Sequence, residues 1–564
     1  MSVNHRRQIW SRRRVLTTAL GGTAAAAAGA FGIAKAATAS TTAATAASPA
    51  GDVVGKITVG YQGWFAAPGD GSPINAWWHW SADQSKAPSP SNTNLKCWPD
   101  NREYAKTYQS GYAALGNGQP ATLFSSYDQQ TVDTHFLWMQ QNNIDTAALQ
   151  RFNPTGGEGP TRDGMATKVR SSAESHGRKF YIMYDATGWT NMQSEMKADW
   201  TNKMKAHTAS SAYAMQNGKP VVCIWGFGFN DNNHPWDAAT CLDVVNWFKS
   251  QGCYVIGGVP REWRTGVNGS RAGFSAVYHA FNMLSPWMVG AIGNAADSDS
   301  VYQNINVPDQ ADCNANGIDY QPCVLPGDLS GRQRAHGDFM WRQFYNMVRV
   351  GAQGIYISMF DEYGEGNQIA KTAETQAWSP TNSGFLTLDE DGTACSADYY
   401  LRLTGDGGRM LKGQIALTAT RPTQPVVAST APALRTISLR SRADNDYVTA
   451  ENAGAASLIA NRTAVGPWEQ FDVVDAGNGN IALRARINGQ YVTAENAGAS
   501  PLIANRAAVG AWETFKLVTN SNGTVSLLAQ VNGKYVTADN AGASPLIANR
   551  TSIGTWEQFD QATV

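Results

Sequence analysis

The chain has 564 residues, too many for one hydrophobic core, so two or three domains are expected. Its 44 Lys and Arg balance 45 Asp and Glu, a net charge of -1 that argues against a nucleic-acid or anionic-membrane partner. Aromatic residues are abundant, with 19 Trp, 20 Tyr and 18 Phe; those in polar loops such as Ala76-Trp-Trp-His-Trp80 suit stacking on sugar faces, while core packing accounts for many others.

At the N-terminus, Arg6-Arg7 and Ser11-Arg-Arg-Arg-Val-Leu16 precede an Ala/Gly-rich apolar run over 17–33. Ala34-Lys-Ala36 and Ala37-Thr-Ala39 are small-x-small cleavage candidates. Paired arginines before a mildly apolar segment read as a twin-arginine export signal over 1–39. The alternative, an uncleaved anchor, needs a longer and more apolar run. The mature protein is expected to start between Ala37 and Gly51 and to be secreted, with no membrane attachment after cleavage.

Over 51–414, strand-like runs alternate with helical ones. The strands are expected at 56–64, 147–152, 179–184, 220–226, 253–259, 288–292 and 354–360. Helical patterns fall at 165–174, 196–216, 239–250 and 339–350. This alternation predicts a parallel (β/α)8 TIM-like barrel, with seven of eight strands found and a doubly wound sheet as the alternative. The strand ends are polar or aromatic and would converge on one face, where carbohydrate needs stacking surface and hydrogen-bond partners. Tyr61, Trp64, Asp185, Trp225, Asn230, Glu262 and Trp263 are the substrate-binding candidates there.

Seven cysteines leave at least one unpaired even in an oxidising compartment. Cys313 and Cys323 flank a polar loop and form the best local pair; Cys223 reads as a buried thiol. No CxxC or His-rich spacing suggests zinc or a redox site. Asp312-Cys-Asn314-Ala-Asn316-Gly-Ile-Asp319 has some of the acids of a calcium loop but lacks the distal Glu, so a plain turn is expected. No metal and no cofactor is expected.

The most informative stretch is Gly354-Ile-Tyr-Ile-Ser-Met-Phe-Asp-Glu362-Tyr-Gly-Glu365. An apolar, β-branched and aromatic run ends in Asp361, Glu362 and Glu365. Acids crowded at the C-terminal end of a barrel strand lie where such barrels place their chemistry. Two carboxylates, one protonated and one ionised, are the minimal equipment for cleaving a glycosidic bond. The bland alternative is a solvated acidic loop. Tyr363, between the acids, joins the substrate-binding candidates. Asp361 reads as structural.

A Thr/Pro/Ala-rich linker is expected over 415–434. Beyond it, over 435–564, Tyr447-Val-Thr-Ala-Glu-Asn-Ala-Gly454 returns at Tyr491 and Tyr535, each copy 44 residues after the last. Each is followed by Leu-Ile-Ala-Asn-Arg and a Trp-Glu-x-Phe. Three copies of a four-strand unit predict an all-β β-trefoil. The carbohydrate-binding candidates are Glu451, Asn452, Trp468 and Glu469, with counterparts Glu495, Asn496, Trp512 and Glu513, and Asp539, Asn540, Trp556 and Glu557. The alternative is that Trp and Phe of each repeat are core and Glu is a turn group. Three weak sites on one module would gain avidity on a polymer.

Met359-Phe-Asp-Glu-Tyr-Gly-Glu-Gly-Asn-Gln-Ile-Ala-Lys371 resembles the acidic signature of glycoside hydrolase families 99 and 71, which include endo-α-mannosidases and α-1,3-glucanases respectively. Gly60-Tyr-Gln-Gly-Trp64, Tyr184-Asp-Ala-Thr-Gly188, Gly258-Val-Pro-Arg-Glu-Trp-Arg264 and Phe339-Met-Trp-Arg-Gln343 resemble a bacterial branch of that group, often labelled xylosidase/arabinosidase. The likeness covers most of 56–373, and the C-terminal copies resemble fascin-like and sugar-binding trefoils. It implies Glu365 as general acid and Glu362 as general base. Glu at position 362, where the glucanase signature has Asp, favours the retaining mannosidase type. Glu365 must then carry a proton near neutral pH, which an apolar wall from Tyr363, Trp64 or Trp341 would favour.

These residues together predict a secreted hydrolase of α-linked polysaccharide, α-mannan or α-glucan, anchored by its trefoil to substrate or cell-wall glycan. The competing readings are a non-catalytic carbohydrate-binding or adhesive protein, and a hydrolase of β-linked glycan.

Overall fold

A computed structural model describes residues 48–425, 433–477, 479–506 and 509–564; the expected export signal lies outside them. They form two compact units, the first reaching Pro425 and the second running to Val564. No helix among the described residues is long and apolar enough to cross a membrane.

The first unit is a parallel barrel. Its wall contains β1 (Ile57–Tyr61), β2 (Thr146–Arg151), β3 (Lys179–Asp185), β4 (Lys219–Trp225), β5 (Tyr254–Val259) and β6 (Met283–Pro286), each paired in parallel with the next. The seventh strand, β7, comes in two pieces, Asp319–Tyr320 on β6 and Cys323–Val324 on β8 (Ile355–Ile357). β8 in turn pairs with β1. The Gln321 N–H donates to Leu284 O (2.8 Å), and Pro322 O accepts from Tyr356 N–H (3.1 Å). One chain segment thus bridges both free edges, and the wall of eight parallel strands closes.

This strand is the one missing from the sequence reading. Pro322 has no N–H and interrupts the run, so Asp-Tyr-Gln-Pro-Cys-Val lacks strand character. The strand expected at 288–292 is also corrected: β6 is the shorter Met283–Pro286, and 288–292 is the loop that leaves it. The helix expected over 196–216 divides into α3 (Met192–Asn202), a 3₁₀ turn at Met204–Ala209 and a short strand at Met215–Gln216. His-Thr-Ala-Ser-Ser at 207–211 favours local side-chain bonding over a continued helix.

The interleaved helices include α1 (Gln129–Gln141), α2 (Gly159–Ser175), α4 (Ala238–Ser250), the short α5 (Ser275–Tyr278) and α6 (Ala295–Val301), α7 (Val307–Asn316) and α8 (Asp338–Val350). α8 buries Phe339, Met340, Gln343, Phe344 and Met347, spaced three and four residues apart, and stops at Gly351 in the left-handed region. The stretch 416–425, expected as free linker, packs on this unit: Trp341 Nε1 donates to Thr418 O (3.1 Å) and Arg402 Nη1 to Gln424 O (3.0 Å).

The expected Cys313–Cys323 bridge does not form. Cys313 sits on α7 outside the wall as a buried thiol, whereas Cys323 is in the wall itself. The expected turn at 312–319 is the end of α7, capped by Gly317. Asp312 there holds His279 (2.8 Å), and Asp319 accepts from Tyr254 Oη (2.5 Å). No cluster of three metal-ligating side chains lies among the described residues.

The second unit is all β. Its strands are β9 (Ala433–Ser441), β10 (Tyr447–Thr449), β11 (Ile459–Arg462), β12 (Phe471–Gly477), β13 (Asn480–Ala485), β14 (Tyr491–Ala494), β15 (Leu502–Arg506), β16 (Phe515–Thr519), β17 (Val525–Ala529), β18 (Lys534–Thr537), β19 (Ile547–Arg550) and β20 (Phe559–Thr563). The antiparallel pairings β9–β12, β12–β13, β13–β16, β16–β17, β17–β20 and β20–β9 close a six-stranded ring. The remaining strands make one hairpin per repeat. The six ring strands and three hairpins follow the three sequence repeats, and their core repeats as Phe471, Phe515 and Phe559.

Glu469, Glu513 and Glu557 are buried turn groups, which corrects their reading as sugar contacts. Each accepts from a Thr hydroxyl of its hairpin (Thr449 at 3.0 Å, Thr493 at 2.9 Å, Thr537 at 2.6 Å). Each also accepts from a Gly N–H three residues back, at Gly466, Gly510 and Gly554. Glu513→Ala is therefore expected to cost the C-terminal unit about 2 kcal/mol, by removing the acceptor of the buried Thr493 hydroxyl. Glu495→Ala on the surface should cost less than about 0.5 kcal/mol. Calorimetry of the two variants tests this.

Candidate active site

Strand parity decides what faces the barrel axis. Gln321 Nε2 reaches Thr58 Oγ1 (3.3 Å), and a Cβ added to Gly60 would lie 2.1 Å from Tyr356 Oη, so Thr58 and Gly60 face inward. Gln62 continues this face, and Tyr61 belongs to the other. Its hydroxyl meets His135 Nδ1 (2.9 Å) on α1, and its ring packs against Phe136 and Phe360. Burial holds His135 far below its usual range, at about 3, so it bridges Tyr61 and Tyr104 as a neutral ring. Tyr61 is a core residue and makes no wall of the cleft, against expectation.

At the C-terminal mouth the loop after β8 carries Asp361, Glu362 and Glu365, all buried, with the two glutamates 4% and 7% exposed. Asp361 anchors the neighbouring strand end. Its carboxylate accepts the N–H groups of Gln62 (2.7 Å) and Gly63 (2.8 Å), which fixes the loop after β1 beside the acids. Gln62 Nε2 then donates to Glu362 Oε2 (2.6 Å), and Arg162 Nη1 donates to Gln62 O (2.6 Å).

The turn past Glu365 is equally fixed. Gly366 adopts φ +74, and a Cβ there would approach Asp328 Oδ1 to 2.7 Å, so glycine is required. The buried Arg334 guanidinium donates to Gly366 O (2.9 Å) and Gln368 O (2.8 Å). Asn367 N–H closes the loop on Glu362 O (3.2 Å). Both glutamates therefore sit on a backbone held by charged, buried side chains, which is what precise acid placement needs.

Asp185 and Trp225 are register partners at the ends of β3 and β4. Asp185 accepts from Thr187 Oγ1 (2.6 Å), and Gln150 Nε2 approaches it at 3.5 Å. Trp225 packs edge-on against Trp287 and tilted on Phe229. Together with Gln62 they provide amide, carboxylate and indole groups at the strand ends.

The other candidates disperse. His79 covers one face of the Trp64 indole, 3.7 Å between centroids, so Trp64 is not an open stacking platform. Asn230 is exposed on a loop, its N–H on Gly269 O (2.9 Å). Glu262 is buried beside Arg261 (2.5 Å) on the loop after β5. Trp263 turns outward, its Nε1 donating to Asp309 on α7 (2.8 Å). Tyr363 lies against Phe65, Trp80 and Phe124, its hydroxyl on Lys371 O (2.8 Å). Trp341 packs under residue 418, its Nε1 on Thr418 O.

In the second unit, Glu451, Glu495 and Asp539 pair with Arg462 (2.6 Å), Arg506 (2.7 Å) and Arg550 (3.0 Å) at the surface. Asn452, Asn496 and Asn540 are exposed turn residues with positive φ. Trp468, Trp512 and Trp556 are half-buried.

Sequence reading missed Gln62, Arg162 and Arg334. Strict alternation from Thr58 would have placed Gln62 inward. Gln62→Leu removes the amide donor from Glu362. It is expected to lower kcat/KM of any reaction run by the two glutamates by about 10- to 100-fold, the value of one hydrogen bond to a charged group. Steady-state kinetics with Gln62→Glu alongside checks this.

No family model matches the chain, and no curated protein does. Solved structures similar to it include a GH99 endo-α-mannosidase from Bacteroides thetaiotaomicron, at 15% identity over 64% of this chain and 98% of that one, with a TM-score of 0.47. The designed threefold-symmetric protein ThreeFoil matches at 25% identity over 23% of this chain and 99% of its own, TM-score 0.21. The Polyporus squamosus lectin matches at 14% identity over 23% and 49%, TM-score 0.21. At these scores none of the three likenesses bears on the chemistry of the site.

Proposed function

We propose that the first unit is a glycoside hydrolase acting on α-linked polysaccharide of the mannan or glucan type. Glu365 protonates the departing glycosidic oxygen and Glu362 acts as the base on the opposite side of the reaction. The second unit holds the enzyme on glycan, and the chain is exported through its twin-arginine segment. The observation that carries this reading is one loop at the mouth of a parallel barrel bearing two buried glutamates three residues apart. One of them is held by the Gln62 amide, and both sit on a backbone anchored by Asp361 and Arg334.

The Gln62 amide holds Glu362, and Arg334 holds the turn just after Glu365, so each acid is placed by its own anchor. The test is release of reducing ends by the full chain from α-mannan, α-1,3-glucan, α-1,6-linked chains and arabinan. Release from one α-linked polymer supports the reading; release from none of them overturns it.

A further inference from the structure

The three repeats of the second unit are not equivalent at the surface. Beside the third hairpin, an open cleft of about 300 Å³ is lined by Arg550, Ser552, Thr555 and Trp556, with the backbone of Gly554 and the buried Glu557 behind them. Ser552 and Thr555 are exposed, and neither hydroxyl has a partner among the described residues. The positions 44 residues earlier are Ala508 and Ala511, and those a further 44 earlier are Ala464 and Pro467. Only the third repeat carries hydroxyls at both places.

A second difference lies next to it. In the first repeat Asn461 Nδ2 is tied to Glu451 (2.9 Å), and in the second Asn505 Nδ2 to Glu495 (3.2 Å). The third repeat has the shorter Asp539, which holds Arg550 (3.0 Å) and leaves the Asn549 amide without a partner among the described residues. Arg550 lies 5.9 Å from the Trp556 ring centroid, so guanidinium and indole border the same opening.

We propose that the third repeat alone carries a binding site for one neutral pyranose unit of a polysaccharide. This deepens the glycan-binding reading of the second unit given above and rests on it. The volume matches the small end of ligand sites. A half-buried indole offers the flat apolar surface, and two free hydroxyls with one guanidinium offer the donors and acceptors that sugar hydroxyls require. Asp539 neutralises Arg550, so the cleft presents no net positive charge to select a sulfate, phosphate or uronate. The first two repeats keep the turn and the indole but lack the hydroxyl pair, which assigns them to the fold.

Saturation-transfer NMR of the full chain with methyl α-mannoside, methyl α-glucoside, methyl β-galactoside and methyl β-xyloside tests the assignment. Trp556→Ala and the double variant Ser552→Ala, Thr555→Ala are compared with Trp468→Ala and Trp512→Ala. The hydroxyl deletions are at exposed positions and keep the fold even if the Trp change does not. Transfer to at least one glycoside is expected to fall about fivefold or more in both third-repeat variants and to stay within about twofold in the other two. Equal loss in Trp468→Ala or Trp512→Ala overturns the asymmetry while leaving a glycan-binding unit. Unchanged transfer in every variant overturns the third-repeat site and leaves the glycan-binding reading standing; no transfer from the native chain overturns both. Hydrolysis by the barrel is measured separately and moves with neither.

Discussion

Glu365→Gln is expected to slow hydrolysis of an unactivated polysaccharide by about a thousandfold, within the usual range for loss of a positioned general acid. The same variant should lose far less, about tenfold, on an aryl glycoside whose phenolate leaves without a proton. Glu362→Gln acts on the other half of the reaction and should lose similar amounts on both substrates. The anchored turn at Gly366 makes this contrast readable, because an amide in place of the Glu365 carboxyl leaves the backbone held by Arg334. Initial rates on one polymer and one nitrophenyl glycoside check it. Equal losses for Glu365→Gln on both substrates would remove it from the acid role.

The second large effect concerns Asp361, which touches no substrate in this account. Burial raises its carboxyl to about 6, against the Gln62 and Gly63 N–H groups that pull it down. Asp361→Ala leaves those two buried N–H groups without an acceptor, so the first unit should lose about 3 kcal/mol. The loop after β1 is also released, and with it the Gln62 donor, so kcat should fall about 100-fold through misplacement alone. The pH dependence has a definite sign. Because the folded carboxyl titrates above its ordinary value of 3.8, the unfolded chain binds fewer protons than the native one between about 3.8 and about 6. Stability therefore falls as pH rises through that window, by about 3 kcal/mol. Asp361→Asn abolishes that fall. Calorimetry of native chain and both variants from pH 4 to pH 7 measures it; an identical slope in Asp361→Asn would contradict the assignment.

What was legible in the sequence, and what was not, follows from local physics. Continuous apolar runs marked the ends of β2, β3, β4, β5 and β8 because strands buried on both faces need no alternation. The same feature hides which face each residue takes, so the sequence points to Tyr61 as a cleft residue although Gln62 is the one that faces inward. β7 was invisible because its ladder is shared between two neighbours around Pro322. The strands of the second unit are legible in the repeats, since 44-residue periodicity survives any single substitution. They could not separate sugar contacts from turn locks: Glu469, Glu513 and Glu557 look like surface acids until their Thr and Gly partners are known. Glu362 and Glu365 stood out as an acidic cluster, but the clamps from Asp361 and Arg334 come from residues whose role depends on three-dimensional closure of the barrel.

Reducing-end release from α-mannan by the native chain and by the double variant Glu362→Gln, Glu365→Gln, run side by side with equal folded protein, decides whether the two glutamates carry the chemistry. Steady release by the native chain and none above background by the double variant is expected. Release by the double variant at the native rate would contradict it, and would place the chemistry outside the loop that follows β8.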